Sequence, residues 1–557
     1  MKKIGLYLLL SIYIYALPAG INKIIKKSKL SRNEISIYIK QVGKNGKVIA
    51  FLNANTFRTP ASVIKVLSTY ASVLKLGFDY RIPTKIYTTG SLTKGTLHGD
   101  LIVKAFGDPT LGSQDLKEIV SHISKKGIRK ITGNIVIDRS YFKVGTKNTS
   151  GFDENRYSAY NAMPDAMMFN ERVSTVYVNP KRNSVIKKTV DGSYKVVNRL
   201  KRVNKPCRGK YSWIGASVDN KSVTPTLYIK GRVSKRCGTR NVCKVLTKPY
   251  NSFYYALREG LKRKGIHIGG RLSLRKTPRN ATLLYTHYSE SLEKIISKTA
   301  KKSNNLYARH LLLILGAKMY GTPATLYKGR KAVKAILKNK HALHDKRLNL
   351  DNGSGLSRTA KLSAKLLADM FDNAYERYGQ RWLNTLSIAG RDGTIRQRFK
   401  GSVAQNRAWM KTGTLKHTKN IGGYVKSRQG ILYTAVILVK TRKGLWKASG
   451  LQNDIIKWLV RYKNSRLKVS KKKLTIHTKP KKSTFKHKKY YIQAGVFHEK
   501  PMPRFLRQVK RLGFPYRVKK MKNYKVLIGA FSSKQKAKKA LFKVQDMVNK
   551  QSFLIQL

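Results

Sequence analysis

The most constraining stretch of this 557-residue chain is an apolar helix pattern that begins beside a serine and a lysine. Thr59 suits the N-cap, Pro60 suits the first helical position, and Gly77 suits the residue just beyond the helix end. Apolar side chains lie on most faces of this segment, which predicts a buried helix. Ser62 and Lys65 are three residues apart and therefore neighbours on its first turn. A lysine whose pKa is lowered by burial can take the hydroxyl proton and make the serine a nucleophile.

Two further polar clusters distinguish this pair from other Ser-x-x-Lys pairs, which in a lysine-rich chain are typical of solvated helix faces. Those other pairs are Ser72 with Lys75, Ser291 with Lys294, Ser470 with Lys473 and Ser483 with Lys486. Ser303 and Asn305 open a second helix pattern, where they either flank a bound peptide or cap the helix. Lys411 begins the sequence Lys-Thr-Gly-Thr at the end of a predicted strand, where a glycine admits a substrate backbone. The alternative for this segment is an ordinary strand end that runs into a turn.

The chain is strongly basic, with 117 Lys and Arg against 25 Asp and Glu and a formal net charge of +92. Such an excess indicates a polyanionic partner or environment, or a lysine-rich proteome in which the charge is background. Residues 1–19 are typical of a secretory signal peptide, with two lysines, an apolar stretch and a small residue for cleavage. No other stretch is long and apolar enough to span a membrane, so we expect an exported protein that is not an integral membrane protein. Export argues against a nucleic acid partner.

The residue composition and the strand and helix patterns along the chain predict several modules. Strands at 36–39 and 48–52 form a hairpin, residues 81–249 are β-rich, and helices followed by antiparallel strands from about residue 252 indicate an α+β domain. Residues 463–489 are rich in Lys, Ser and Thr and predict a flexible basic linker. Residues 490–557 contain two strands that end in Gly and Phe, each followed by a helix pattern, which predicts a small αβ domain.

The order S-x-x-K, S-x-N and K-T-G is the signature of penicillin-binding proteins and class A β-lactamases. Ser62 and Ser303 lie 241 residues apart, far more than in a compact β-lactamase. With the phrases at 106–111, 351–358 and 389–394, residues 33–460 resemble the D-alanyl-D-alanine carboxypeptidase/endopeptidase family, the S13 peptidases or type-4 class C penicillin-binding proteins. The resemblance implies a transpeptidase-like domain made of residues 20–80 and 250–462, with residues 81–249 as inserted β-rich modules.

The resemblance also implies roles for the catalytic residues. Ser62 would attack the carbonyl of the penultimate D-Ala of a peptidoglycan stem peptide, with Lys65 as general base. Ser303 and Lys411 would relay the proton to the departing amine, and Asn305 would hold the substrate amide. No cofactor and no metal is implied, and β-lactams would act as covalent inhibitors.

The remaining residues of the implied site bind the substrate. Backbone N–H groups of Ser62 and Thr414 would form the oxyanion hole, while Thr412 and Thr414 would bind the terminal carboxylate beside Gly413. Arg309 departs from the family pattern, in which an acidic residue is common at that position, and no implied catalytic role depends on it.

The C-terminal segment 490–557 resembles a SPOR domain, which implies binding to glycan strands that lack stem peptides at bacterial division sites. The alternative is a generic αβ module. Of the three cysteines, the residues alone permit one disulfide or a zinc cluster, although there is no C-x-x-C and no nearby histidine pair. The S13 family's tendency to carry a cysteine pair in the insertion favours Cys207 with Cys237, and the second choice is Cys237 with Cys243.

These observations predict a serine DD-peptidase, with carboxypeptidase or endopeptidase activity or both, that is periplasmic and enriched at the division septum. The first alternative is a non-catalytic peptidoglycan-binding protein on the same fold. The second is a β-lactamase, which would need an acidic residue to hold a deacylating water.

Overall fold

The structure is a computed structural model that describes residues 17–43, 45–144, 152–340, 345–463, 490–499, 501–520, 523–549 and 552–556. The chain divides into two compact units, Met1–Ser465 and Arg466–Leu557. Most of the predicted signal peptide and nearly all of the predicted linker lie outside the described residues. None of the described helices has the length and apolar character needed to cross a bilayer.

The first unit contains 21 described strands and nine described α-helices. The strands are β1 (Ile35–Gln41), β2 (Val48–Leu52), β3 (Pro83–Thr88), β4 (Ser91–Thr93), β5 (Thr96–His98), β6 (Leu101–Ala105), β7 (Lys130–Ile131), β8 (Ile135–Asp138), β9 (Ser174–Asn179), β10 (Ser184–Lys187), β11 (Lys195–Val203), β12 (Gly215–Asp219), β13 (Thr226–Ser234), β14 (Arg240–Lys244), β15 (His267–Ile268), β16 (Leu272–Ser273), β17 (Thr282–Tyr288), β18 (Ser387–Ile388), β19 (Ala408–Leu415), β20 (Thr418–Lys426) and β21 (Leu432–Lys440). The helices are α1 (Ala19–Ser28), α2 (Lys65–Leu76), α3 (Ser113–Ser124), α4 (Pro249–Lys262), α5 (Leu292–Lys301), α6 (Asn305–Tyr320), α7 (Leu326–Asn339), α8 (Ala364–Leu383) and α9 (Leu445–Arg461). Short 3-10 turns cover Ala61–Ile64 and Ala159–Asn161, among others.

An antiparallel six-stranded sheet with the order β18-β19-β20-β21-β1-β2 is the centre of the first unit. Because side chains alternate along a strand, Ile37 and Ile437 face one core while Tyr38 and Val436 face the other. Helices α1 and α9 cover the first face, and α2 and α5 to α8 contribute to the second core. The predicted α+β class and the predicted hairpin of β1 and β2 are confirmed.

The insertion is larger and more helical than the sequence predicted. It contains a five-stranded sheet (β16-β8-β6-β3-β17) and a four-stranded sheet (β15-β7-β5-β4), with side chains of α3 and α4 in their shared core. The predicted boundary at residue 249 is wrong, because β17 pairs with β3 and β16 pairs with β8. Such pairing joins residues far apart in the chain and leaves no local signal in the sequence.

Two three-stranded sheets, β10-β9-β14 and β11-β13-β12, complete the insertion around a small core that includes Val176 and Ile229. Cys207 and Cys237 form a disulfide across 30 residues, as predicted. Cys243 is free and exposed, so the second choice of pairing is wrong. Closing a loop of this length stabilises the fold by about 3–4 kcal/mol in the chain-entropy account.

The second unit is a four-stranded antiparallel sheet with the order β23-β24-β22-β25 and two helices. Its elements are β22 (Tyr490–Phe497), α10 (Pro503–Arg511), β23 (Tyr516–Lys520), β24 (Tyr524–Phe531), α11 (Lys534–Met547) and β25 (Phe553–Gln556). The two predicted βα units are present, but β23 was not predicted because four of its five residues are exposed and show no apolar alternation.

Packing explains the repeated Gly-x-Phe of β22 and β24. A Cβ atom on Gly495 would lie 2.6 Å from the ring of Phe497, and one on Gly529 would lie 2.3 Å from the ring of Phe531. Each ring therefore lies across the glycine two residues before it. The ring of Phe497 also packs edge-on against Phe505 of α10.

The phrase at residues 106–111 connects the insertion to helix α6. The carbonyl of Gly107 lies 2.8 Å from His310 Nδ1, and the next residue, Asp108, is buried. Asp108 Oδ1 accepts two hydrogen bonds from Thr110, while Oδ2 has no hydrogen-bond partner among the described residues. Burial raises the pKa of Asp108 to about 7.

We expect Asp108→Asn to stabilise the protein more at pH 8 than at pH 5. The pKa is higher in the folded than in the unfolded state, so wild-type stability falls as pH rises from about 4 to about 7, and the amide removes this loss. The difference between the two pH values should be about 2–3 kcal/mol in the free energy of unfolding, measured with urea. Exposed Asp219→Asn is the control and should change stability by less than about 0.5 kcal/mol. Equal effects of Asp108→Asn on stability at both pH values would contradict a raised pKa of Asp108 in the folded protein.

Candidate active site

The first cluster lies where a 3-10 turn, Ala61–Ile64, runs directly into α2. Thr59 is not the N-cap and Pro60 is not the first residue of the α-helix, as the sequence had suggested: Pro60 precedes the 3-10 turn, without a capping side chain. Asn420 Nδ2 on β20 donates to the carbonyls of both Thr59 (2.9 Å) and Pro60 (2.8 Å), and these bonds fix the entry to the turn. Gly77 ends α2 with a φ of +81°, as predicted.

Lys65 is fully buried and is surrounded by neutral acceptors. Its Nζ donates to Ser62 Oγ at 2.7 Å, to Asn305 Oδ1 at 2.6 Å and to the carbonyl of Ser354. Burial lowers the pKa of Lys65 well below its ordinary value, and the positive charges of Lys411 and Arg309 lower it further.

The second cluster keeps two side chains available because a third caps the helix. Asn304 is the N-cap of α6, and its Oδ1 accepts a hydrogen bond from the Tyr307 N–H at 3.2 Å. Ser303 and Asn305 are thereby released from capping. The Nδ2 of Asn305 donates to the carbonyl of Tyr160, which leaves its Oδ1 facing Lys65.

The third cluster lies on β19 beside the other two. Buried Lys411 donates from Nζ to Ser303 Oγ at 2.8 Å, and burial lowers its pKa to about 7. A Cβ atom on Gly413 would lie 2.8 Å from the backbone nitrogen of Ser62, so only glycine permits this approach of strand and turn. Thr412 Oγ1 lies 2.8 Å from Thr394 Oγ1, and Thr414 is exposed.

The structure thus brings together all three predicted clusters and adds residues that the sequence did not assign. Ser354 and Thr394 lie within the segments 351–358 and 389–394. Their resemblance to the S13 family was the sequence signal that could have pointed to these two residues. Gly355 is required next to the serine turn, because a Cβ there would lie 2.0 Å from the carbonyl oxygen of Ala61. Asn420 carries no signal in the sequence, since only the sheet brings it to the turn.

Known proteins resemble this chain over most of its length. Residues 17–461 match the D-Ala-D-Ala carboxypeptidase 3 (S13) family, which is most of the chain. The chain belongs to this family. Residues 486–556 match the SPOR domain.

Curated relatives carry the same type of name. The chain is 26% identical over 436 residues to D-alanyl-D-alanine carboxypeptidase DacB of Haemophilus influenzae, covering 75% of this chain and 88% of that protein. It is 25% identical over 394 residues to a D-alanyl-D-alanine carboxypeptidase of Actinomadura, covering 68% of this chain and 72% of that protein. The crystal structure of penicillin binding protein 4 (dacB) from H. influenzae superposes with a TM-score of 0.68 at 23% identity, over 79% of this chain and 99% of that one.

We expect Gly413→Ala to fold but to lose at least tenfold in the rate of acylation by benzylpenicillin. The added methyl group would press on the Ser62 turn and separate it from β19. Gly450→Ala is the control, because a Cβ atom on Gly450 of α9 has no neighbour within 4 Å and alanine favours a helix. Stopped-flow or quench measurements of acyl-enzyme formation compare the two variants. A Gly413→Ala protein that acylates at the wild-type rate would refute the close-approach argument.

Proposed function

We propose that this protein is a serine DD-peptidase that remodels peptidoglycan through an acyl-enzyme on Ser62. The observation that carries the proposal is the 2.7 Å hydrogen bond between Ser62 Oγ and a buried Lys65. All three acceptors around Lys65 Nζ are neutral, so none of them stabilises its positive charge as a carboxylate would. The substrates are D-Ala-D-Ala termini of stem peptides, D-Ala cross-bridges, or both.

The hydrogen-bond donors and the lone pair of a neutral Lys65 amine explain how it would act as a base. A neutral amine has two N–H donors and one lone pair, so it can donate to Asn305 and to the Ser354 carbonyl while accepting from the Ser62 hydroxyl. Attack of Ser62 Oγ on the penultimate carbonyl transfers the hydroxyl proton to Lys65. The C–N bond then breaks and an ester to Ser62 forms.

The Lys411 and Ser303 pair supplies the proton for the departing amine. With a pKa of about 7, Lys411 is partly protonated at neutral pH and donates to Ser303 Oγ, which can pass a proton to the leaving nitrogen. The proton that Lys65 took from Ser62 then passes to the deprotonated Lys411, which restores both lysines. Water hydrolyses the ester with neutral Lys65 again as base, Ser62 Oγ takes that proton as it leaves, and the carboxylate product is released.

Backbone N–H groups of Ser62 and Thr414 are the proposed oxyanion hole, and each such donor contributes about 3 kcal/mol to stabilising the transition state. Gly413 supports this assignment because its missing side chain keeps the approach to the Ser62 nitrogen open. The hydroxyl groups of Thr412 and Thr414 are the proposed ligands of the terminal carboxylate.

We expect benzylpenicillin to form one covalent adduct on the Ser62 peptide, detected by mass spectrometry. One structure of the H. influenzae protein, at 22% identity and a TM-score of 0.64, is described as complexed with a β-lactam, which recommends this probe. Ser62→Ala should abolish labelling, and Lys65→Met should reduce its rate by at least a hundredfold. Ser72→Ala removes the serine of the second Ser-x-x-Lys pair on the same helix and should label like the wild type. Labelling that persists in Ser62→Ala would reject the nucleophile.

Digestion of purified muropeptides by the same variants separates the two activities. Loss of terminal D-Ala reports carboxypeptidase activity, and cleavage of cross-linked dimers reports endopeptidase activity. A wall-binding protein without catalysis would show neither. A β-lactamase would instead release hydrolysed penicillin at many turnovers per enzyme molecule.

The SPOR domain supports a second part of the proposal: an exported, periplasmic enzyme held on septal glycan strands that lack stem peptides. A tether raises the effective substrate concentration at the active site without changing its chemistry. The basic linker would add an attraction to anionic wall polymer that weakens with salt.

We expect deletion of residues 463–557 to leave turnover of small soluble peptides within about twofold of wild type and to reduce retention on sacculi at least tenfold. Sedimentation with intact sacculi and with sacculi stripped of stem peptides, at low and high salt, measures the retention. Full-length protein should prefer the stripped sacculi at both salt concentrations, because the folded domain supplies the selectivity. Equal binding to both kinds of sacculi, or a truncated enzyme that still concentrates at midcell, would refute the tether.

A further inference from the structure

Three long basic side chains are buried at the site, and the third has no role in the chemistry above. Arg309 on α6 is 2% exposed, compared with 0% for both Lys65 and Lys411. Its Nη1 donates to the carbonyl of Ala162 at 2.8 Å, while Nε and Nη2 are shielded from solvent and have no hydrogen-bond partner among the described residues. A buried guanidinium with no carboxylate bonded to it is destabilising, so its presence needs a reason.

The position of Arg309 connects it to Lys65 through Asn305. Residues 305 and 309 are one helical turn apart and share a face of α6. Asn305 donates to the carbonyl of Tyr160 and Arg309 donates to that of Ala162, so the two side chains hold the short turn Ala159–Asn161 and the residue that ends it against the helix. That turn keeps the amide of Asn305 oriented with its oxygen toward Lys65 Nζ.

We propose that Arg309 is a positioning residue for acylation: it clamps the turn that orients Asn305, and its positive charge keeps Lys65 in the neutral, basic form. The inference rests on the proposed function, because it needs Lys65 to act as the base. It adds an electrostatic role that none of the three sequence motifs contains.

The charges around Lys65 support this role. The two charged groups that lower its pKa beyond the effect of burial are Lys411 from β19 and Arg309 from α6. Lys411 titrates with a pKa of about 7, whereas burial lowers the pKa of Arg309 only to about 10, with the Asp351 charge opposing the shift. Arg309 is therefore the charge that persists when Lys411 loses its proton. Neighbouring His310 is neutral near pH 7, because burial lowers its pKa to about 4.

The test is the pH profile of Ser62 acylation by benzylpenicillin in full-length Arg309→Met and Arg309→Lys, between pH 5 and 9. Loss of the positive charge raises the pKa of Lys65, so the acidic limb of the Arg309→Met profile should move to higher pH by about 0.5–1 unit. On that acidic limb, acylation should then fall about three- to tenfold beyond any change on the plateau of the profile, where the remaining difference measures loss of the clamp. Arg309→Lys keeps the charge and should keep the wild-type limb.

Arg398→Met is the matched control, because Arg398 also bonds to neutral acceptors, Asn453 and Gln452, but packs against α9. Arg398→Met should leave the acidic limb unchanged even where it lowers the melting temperature.

An Arg309→Met enzyme that is uniformly slower at every pH, and whose acidic limb lies at the wild-type pH, would show a purely structural role and overturn the electrostatic one. If Arg309→Met does not fold, Arg309→Gln carries the same test: an upward shift of its acidic limb supports the inference, and an unmoved limb overturns it. Failure to label wild-type Ser62 would instead reject the proposed function, whatever Arg309 does.

Discussion

The interaction on which the site depends is the set of three hydrogen bonds at the buried Nζ of Lys65. The partners come from the 3-10 turn before α2, the start of α6 and the loop that contains Ser354. Because a buried amine without hydrogen-bond partners would be destabilising, these three segments must all be in place before Lys65 can be buried. Folding of the two-sided core and assembly of the site are therefore coupled through one side chain.

The insertion takes part in this assembly. Glu171 accepts hydrogen bonds from the Asn304 side chain at 2.9 Å and from the Tyr307 hydroxyl at 2.8 Å, so it holds the start of α6. The carbonyl of Tyr160, also in the insertion, orients Asn305. The same segment that separates the first two motifs by 241 residues thus supplies contacts that bring them together.

The two buried lysines of this site bond to neutral groups, in a chain whose net charge is +92. Lys65 and Lys411 bond to hydroxyl, amide and carbonyl oxygens. Acidic residues bond to other groups, as Glu171 does at the start of α6 and as Asp392 does in its ion pair with Lys301 at 2.7 Å. Burial without a carboxylate partner lowers the pKa of both lysines, and this is the state that proton transfer at neutral pH requires.

The sequence by itself determined the features that have a local physical cause. The order of the three motifs, the β1–β2 hairpin and the βα repeats of the second unit follow from periodicity, turn residues and residue chemistry over short spans. Tertiary structure alone decided which strands complete the insertion, that Asn420 fixes the Ser62 turn, and that buried Arg309 donates to the carbonyl of Ala162. Each of these depends on contacts between residues distant in the chain, and a single sequence records such contacts in no local pattern.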